Sequence, residues 1–457
     1  MPRIYCFVVF TFLSIFQTCE KAPQQTASNA PPASPSAASA KPSPIATPEL
    51  PPTPAPTPAL STADATLWAK AMKIHQSSIV IDTHNDVTSA ILDDGFDMGQ
   101  SGIVDGKIKT HTDLKRLKEG GIGAQFFAVY VGKEFVGKKP EDGGGSARRA
   151  LDMIGVVYDQ VKKHPEALEM AYTADDIRRI HKTGKIAALM GIEGGHAIED
   201  SLYALDNFYR LGIRYMTLTH TNTNNWADSE ADLKNRGVKH HGGLNDLGKK
   251  VVLEMNKLGM MVDISHVADD TMAAVFATSK APVIASHSSA RAIANHTRNL
   301  NDDELRAIAQ NGGVVMVNFY DGFIDPKKAE VTFNGRAKED EFKKQFPNDP
   351  ERVKAEMKQW RSQYKFDKTP LSVLMDHIEH IIKIAGIDHV GFGADLDGIP
   401  LDAAPVGLED VSKYPVITYE LLKRGHSEAD IKKILGENLL RVMKQCEQVA
   451  KEMQSTK

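Results

Sequence analysis

Residues 260–289 read MMVDISHVADDTMAAVFATSKAPVIASHSS. A β-branched apolar run, Met260–Ile264, is followed by a helix-like stretch, Asp269–Thr278, and then by a second short apolar run, Val283–Ala285. Strand, helix and strand in that order predict a βαβ unit with parallel strands. Each run leads straight into a histidine, His266 after the first and His287 after the second.

The same alternation extends in both directions. Further strand-like runs are Ser78–Asp82, Ala124–Val131, Ile186–Ile192, Tyr215–Leu218, Val314–Phe319 and Val390–Gly393, which makes eight in all. Helical patterns fall between them at Ser146–His164, Leu202–Leu211, Asp246–Leu258, Asp302–Gln310 and Leu371–Ala385. Eight βα units predict an α/β fold, a closed (β/α)8 TIM barrel, rather than an open sheet. Tyr414–Lys423, Glu428–Leu435 and Asn438–Met453 are expected as additional C-terminal helices, and 324–369 as a charged helical insertion after strand seven. That insertion is too long for an ordinary βα loop. It reads as a helical excursion near the active face, and a solvated hairpin without function is the alternative.

The composition is that of a globular chain: 457 residues, 42% hydrophobic, 25% charged, net charge −4. It excludes a nucleic-acid binder that works by bulk positive charge. The body has no apolar run of about 18 residues, as a polytopic membrane protein would need. Of the 23 prolines, twelve lie between Pro23 and Pro58. Residues 20–62 therefore read as a Pro/Ala/Ser-rich disordered tether, and 63–457 as the barrel domain. Ahead of the tether, Ile4–Phe16 has the length of a signal-peptide core, which makes 1–19 a removable export signal. Cys19 follows that core as the lipidated cysteine of a bacterial lipoprotein would, although Phe16-Gln17-Thr18 is a poor lipobox. Two expectations stay open: membrane attachment through a lipid on Cys19, or free secretion to the periplasm or exterior. Cys446 is the only cysteine of the body, so no disulfide forms within the domain.

In a parallel barrel the residues just past the strand ends converge on one face. Here they are His84 and Asp86, Glu193, His220, His266, His287, and Asp395 with Asp397. Any one histidine alone would be an ordinary polar residue, and His181, His240, His241, His377, His380 and His426 are read that way. Imidazoles and carboxylates gathered on one face need a cation to neutralise them, and both are good zinc ligands. The ligand count suggests two Zn2+ ions. His84 and Asp86, at i and i+2, can both turn inward, His266 and His287 provide two more nitrogens, and the two oxygens of Glu193 make it the natural bridge. Two such ions can share a hydroxide that is nucleophilic at neutral pH.

The ordered motifs Ile81-Asp82-Thr83-His84-Asn85-Asp86, Gly191-Ile192-Glu193-Gly194-Gly195-His196, Val262-Asp263-Ile264-Ser265-His266, Ser286-His287-Ser288-Ser289-Ala290 and Thr297-Arg298-Asn299 resemble the membrane dipeptidase (renal dipeptidase) family of zinc peptidases. The likeness spans Ile74 to Val449. It implies an amidohydrolase-type barrel, usually a homodimer, that cleaves dipeptides and often tolerates a D-residue at the C-terminal side. It also implies a substrate with a free carboxylate. By the same likeness, His220 contacts the substrate carbonyl, Arg298 holds the carboxylate, and Asp395 is the acid/base. Tyr320, which follows strand seven, is a candidate pocket wall. His196 is either a second support for a ligand or ordinary packing, and Asp397 either shares the acid/base role or caps a turn. The insertion 324–369 and the segment Asp228–Lys239 do not follow the family pattern. Two rival functions are another binuclear-metal amidohydrolase, such as a lactonase or deaminase, and a catalytically inactive tethered binding protein. The first rival group often carries His-X-His after strand one and a modified lysine as bridge; His84-X-Asp86 and Glu193 favour the dipeptidase.

Overall fold

The β-branched runs become parallel strands buried along their length, with only Tyr130 partly exposed at one strand end. Burial on both faces is what strands experience when side chains fill one side and helices cover the other. The computed structural model describes residues 62–455 except Arg236. Its barrel strands are β1 (Val80–Asn85), β2 (Ile122–Tyr130), β3 (Ile186–Glu193), β4 (Ile213–Thr217), β5 (Met261–Asp263), β6 (Val283–Ala285), β7 (Val314–Val317) and β8 (Val390–Phe392). Neighbours pair in parallel around the ring, through Tyr130↔Glu193, Glu193↔Thr217, Thr217↔Asp263, Asp263↔Ile284, Ala285↔Val315, Val317↔Phe392 and finally Phe392↔Asp82. The pairing of β1 with β2 completes the circle. The expected (β/α)8 barrel is the fold.

Two features lay outside the sequence reading. A short strand, Leu168–Met170, pairs with the first residues of β3 ahead of β4, so the sheet has nine strands although the barrel has eight. A small hairpin joins Ile103–Val104 to Lys107–Ile108. The first barrel strand also begins and ends later than expected, and this places His84 within β1 rather than after it.

Leader and tether, residues 1–61, lie outside the described residues, so the signal peptide, Cys19 and almost all of the tether do too. The described chain opens with a helix, Thr62–Gln76. The His75 ring fastens its end, with Nε2 2.8 Å from the Gly120 carbonyl and Nδ1 2.8 Å from the Thr418 hydroxyl. The C-terminal helices form as Pro415–Lys423, Glu428–Lys432 and Asn438–Ser455. No described helix is long and apolar enough to cross a membrane.

The charged insertion is helical, as expected, with helices Pro326–Gln345 and Pro350–Arg361. Each starts with proline in its first turn behind an aspartate cap, Asp325 accepting from the Lys327 and Lys328 amides and Asp349 from the Arg352 amide. Phe342, Val353 and Met357 pack the pair together.

Candidate active site

Asp82, His84 and Asp86 alternate along β1 and its exit, and period-two geometry turns all three to one side. Two buried carboxylates lock the strand ends that carry the site. Asp82 Oδ1 accepts from the amides of His84 and Ala394, and its Oδ2 accepts from the Tyr414 hydroxyl at 2.6 Å. Asp263 Oδ1 accepts from the amides of Ser265 and Ser286, and its Oδ2 accepts from the hydroxyls of Thr217 and Ser286. One carboxylate thus ties β1 to β8, and the other ties β4, β5 and β6 together.

The remaining site residues lie on loops drawn onto that frame. The Asp395 amide donates to the His84 carbonyl and the Asp86 amide to the Leu396 carbonyl, which zips the loop after β8 onto the end of β1. Of the six described non-glycine residues with φ in the left-handed region, three are His266 (64°), Asp395 (65°) and Asp397 (68°). Such a backbone costs on the order of 1–3 kcal/mol for an L-residue and persists only where its surroundings hold it. At His266 they do, because its carbonyl accepts from the Thr219 hydroxyl and from the Glu230 amide.

Glu193 is the centre of the cluster. Its Oε1 lies 2.9 Å from His266 Nε2, 3.2 Å from His287 Nε2 and 3.8 Å from His220 Nε2. Its Oε2 lies 3.5 Å from His84 Nε2, which is in turn 3.3 Å from Asp86 Oδ2. Three sets of donors close enough to share an ion emerge: His84 with Glu193 and His287, Glu193 with His220 and His266, and His84 with Asp86 and Asp395.

Whether these residues suit a metal turns on which ring nitrogens carry protons. The Tyr215 hydroxyl donates to the Thr83 carbonyl (2.9 Å), so it accepts from His84 Nδ1–H at 2.8 Å. The Ser286 hydroxyl donates to Asp263 (2.6 Å), so it accepts from His287 Nδ1–H, also at 2.8 Å. Both rings therefore commit Nδ1–H to a partner and turn Nε2 toward Glu193. The His84 Nε2 is buried without a hydrogen-bond partner, and the Nε2 atoms of His266 and His287 face each other at 3.0 Å. Three imidazole nitrogens crowded around one carboxylate are a donor set that suits a cation.

Electrostatics agree. Burial alone would lower the His84 ring; Tyr215, Glu193 and Asp86 raise it well above the ordinary value, so its surroundings favour positive charge at Nε2. Burial holds His266 and His287 well below the usual histidine range, which keeps them neutral and able to ligate. Burial also lowers His220 to about 4. Asp395 is raised to about 7 by burial, with the Asp86 and Glu193 charges adding to it and His84 opposing. Its Oδ2 accepts from the Asn318 side-chain amide at 2.9 Å.

A cavity of about 390 Å3 opens over this cluster, lined by Asp86, Glu193, His220, His266, Tyr320 and Asp395 among others. That is within the range of small-molecule sites. A larger apolar groove of about 680 Å3 between the insertion helices contains none of these groups.

The structure thus gathers His84, Asp86, Glu193, His220, His266, His287 and Asp395, with Tyr320 on the wall. Arg298 is adjacent but sunk beneath the surface. It is only 2% exposed, its Nη atoms donate to the Ser288 hydroxyl and the His287 carbonyl, and it packs over Phe323. His196 supports no ligand; its Nε2 pairs with the Val131 carbonyl. Asp397 lines the cavity but is tied to His111, accepting from its amide at 2.6 Å. Tyr215, Ser286 and Asp263 carry the histidine orientation and were not singled out from the sequence. Arg336, from the insertion, also lines the cavity.

Comparisons with known proteins give the family. The model of the membrane dipeptidase family, peptidase family M19, matches residues 68–457. Dipeptidase verJ of Clonostachys rogersoniana is 36% identical over 397 residues, covering 85% of this chain and 89% of its own. The probable dipeptidase PvdM from Pseudomonas aeruginosa superposes with a TM-score of 0.69 at 27% identity, over 84% of this chain and all of that one. A metallopeptidase from Rhodobacter sphaeroides, solved with a phosphinate mimic of L-Ala-D-Ala, superposes at 0.63 with 25% identity, over 81% of this chain and all of that one. Fold, donor set and relatives converge: this chain belongs to the membrane dipeptidase family, peptidase family M19, and is a metallo-dipeptidase.

Proposed function

We propose that the enzyme is a binuclear zinc dipeptidase that hydrolyses dipeptides with a free C-terminal carboxylate and accepts a D-residue on that side. The observation that carries the two-ion reading is the division of Glu193, with Oε2 toward His84 and Oε1 toward His266 and His287. His84 and Asp86 would hold one zinc and His266 and His287 the other, with Glu193 shared between them. When bound, the metal supplies Lewis acidity and a water acidic enough to deprotonate near neutral pH. The D-residue reading draws support from the phosphinate mimic of L-Ala-D-Ala held by the Rhodobacter relative.

The chain's own groups do the rest. His220 stays neutral and offers a ring N–H where negative charge develops on the carbonyl oxygen; one such donor is typically worth ~10²–10³ in rate. Asp395 carries the proton from the attacking water to the leaving amine. Its surroundings hold it at about 7, and a dication beside it draws it back toward the ionised form. Arg298, buried with its Nη atoms on the Ser288 hydroxyl and the His287 carbonyl, is the guanidinium that the family likeness assigns to the substrate carboxylate. Tyr320 closes the wall. Outside the described residues, the leader and tether suit an exported enzyme, attached through a lipid on Cys19 or freely secreted, and the family suits a homodimer.

The test is hydrolysis of L-Ala-L-Ala, L-Ala-D-Ala, D-Ala-L-Ala and L-Ala-L-Ala amide by the purified protein, with zinc quantified in the same sample. Cleavage of the first two, loss of it with chelator, and refusal of the amide are expected. A protein with two zincs that cleaves no free dipeptide sinks the reading.

A further inference from the structure

Aspartates from the loops after β1 and β8 (Asp86, Asp395 and Asp397) line the cavity, and the one guanidinium among its described lining residues is Arg336. Arg336 comes from the insertion helix Pro326–Gln345. Its Nη1 donates to Glu230 Oε2 at 2.7 Å. The Glu230 side chain is 1% exposed and that of Arg336 is 31% exposed. One side of the guanidinium is thus fixed on a buried carboxylate while the remainder stays open to the cavity.

An ion pair that merely anchors the insertion would account for that one bond but not for the open remainder of the fork. Glu230 holds Nη1 alone, while the side chain stays 31% exposed where it lines the cavity. A guanidinium has five N–H donors in a fixed planar fork, and those left over suit a second acceptor of carboxylate shape.

We propose that Arg336 is a specificity residue that receives a second carboxylate of the substrate, so that the enzyme prefers dipeptides bearing an acidic side chain. This rests on the dipeptidase reading above, in which Arg298 takes the terminal carboxylate. The planar fork of an arginine suits a side-chain carboxylate, and lysine would reproduce its charge but not its geometry. Glu230 orients the fork.

The experiment compares kcat/KM for L-Ala-L-Ala, L-Ala-L-Asp, L-Ala-L-Glu, L-Asp-L-Ala and L-Glu-L-Ala in wild type, Arg336→Met and Arg336→Lys, with a melting curve for each protein. At least one acidic dipeptide is expected to exceed L-Ala-L-Ala by about tenfold or more, as one charge-assisted contact allows. In Arg336→Met that ratio falls toward one, mainly through KM, and Arg336→Lys, which keeps the charge that pairs with Glu230, restores part of it. A wild-type ratio near one, or a preference that survives in Arg336→Met, overturns the proposal while leaving the dipeptidase reading intact. Failure to cleave any of these dipeptides removes both.

Discussion

The phenolic oxygen of Tyr215 lies 2.8 Å from Nδ1 of His84, and its own proton is committed to the Thr83 carbonyl. The contact is a statement about His84 chemistry: with Nδ1 protonated, the buried Nε2 is free to ligate. Tyr215→Phe removes the acceptor and leaves the ring without a fixed tautomer. Zinc affinity is expected to fall about 10–100-fold, measured by competition with a chelator. Turnover should return at saturating zinc, because Tyr215 touches no reacting atom. Unchanged affinity would remove the orienting role.

Gly191 is paired with Tyr215 across β3 and β4, and a Cβ built on it would lie 2.0 Å from the tyrosine ring. Glycine is needed here because the aromatic ring occupies the space a side chain would take. Gly191→Ala forces the ring off His84. A loss of about 1–3 kcal/mol in stability is expected, together with weakened zinc binding. A normal melting temperature and normal zinc content in Gly191→Ala would contradict the close approach.

Asp395 is held by the Asn318 amide and by a left-handed backbone that no neighbouring ligand shares except His266. As the proton carrier, Asp395→Asn should lower kcat by about 10²–10⁴ with zinc content preserved. Near-normal turnover with full zinc takes Asp395 out of the mechanism.

His377 offers a pH test away from the metal ligands. Its Nδ1 accepts from the Ala290 amide at 3.0 Å and its Nε2–H donates to the Ile324 carbonyl at 2.9 Å, joining the loop after β6 to the start of the insertion. Burial lowers it to about 4, against about 6.5 in the unfolded chain. The unfolded state therefore takes up the proton first as pH falls. The contribution is full above about pH 6.5 and is lost down to about pH 4, on the order of 3 kcal/mol in total. Denaturant titrations from pH 7.5 to 4 should show a smaller loss of stability for His377→Gln than for wild type. Parallel pH profiles would show that His377 does not titrate as argued.

Most of the barrel was legible because parallel strands buried on both faces must be short apolar runs, and helices between them must be amphipathic. The donor cluster was legible for a related reason: barrel topology brings every strand exit to one rim, so His266 and His287 could be placed together without knowing any distance. Boundaries were less secure. The later end of β1 put His84 inside the strand, and Leu168–Met170 was too short to register as a run.

The sequence by itself determined the order of strands and helices, the family, and the histidines and carboxylates at the strand ends, because each depends on local pattern and chain order. Only the tertiary structure decided how those groups are tuned. Tyr215 and His84 are 131 positions apart, and Arg336 and Glu230 are 106 apart. No local periodicity encodes such contacts; they exist only once the barrel has closed and the insertion has folded back over its rim.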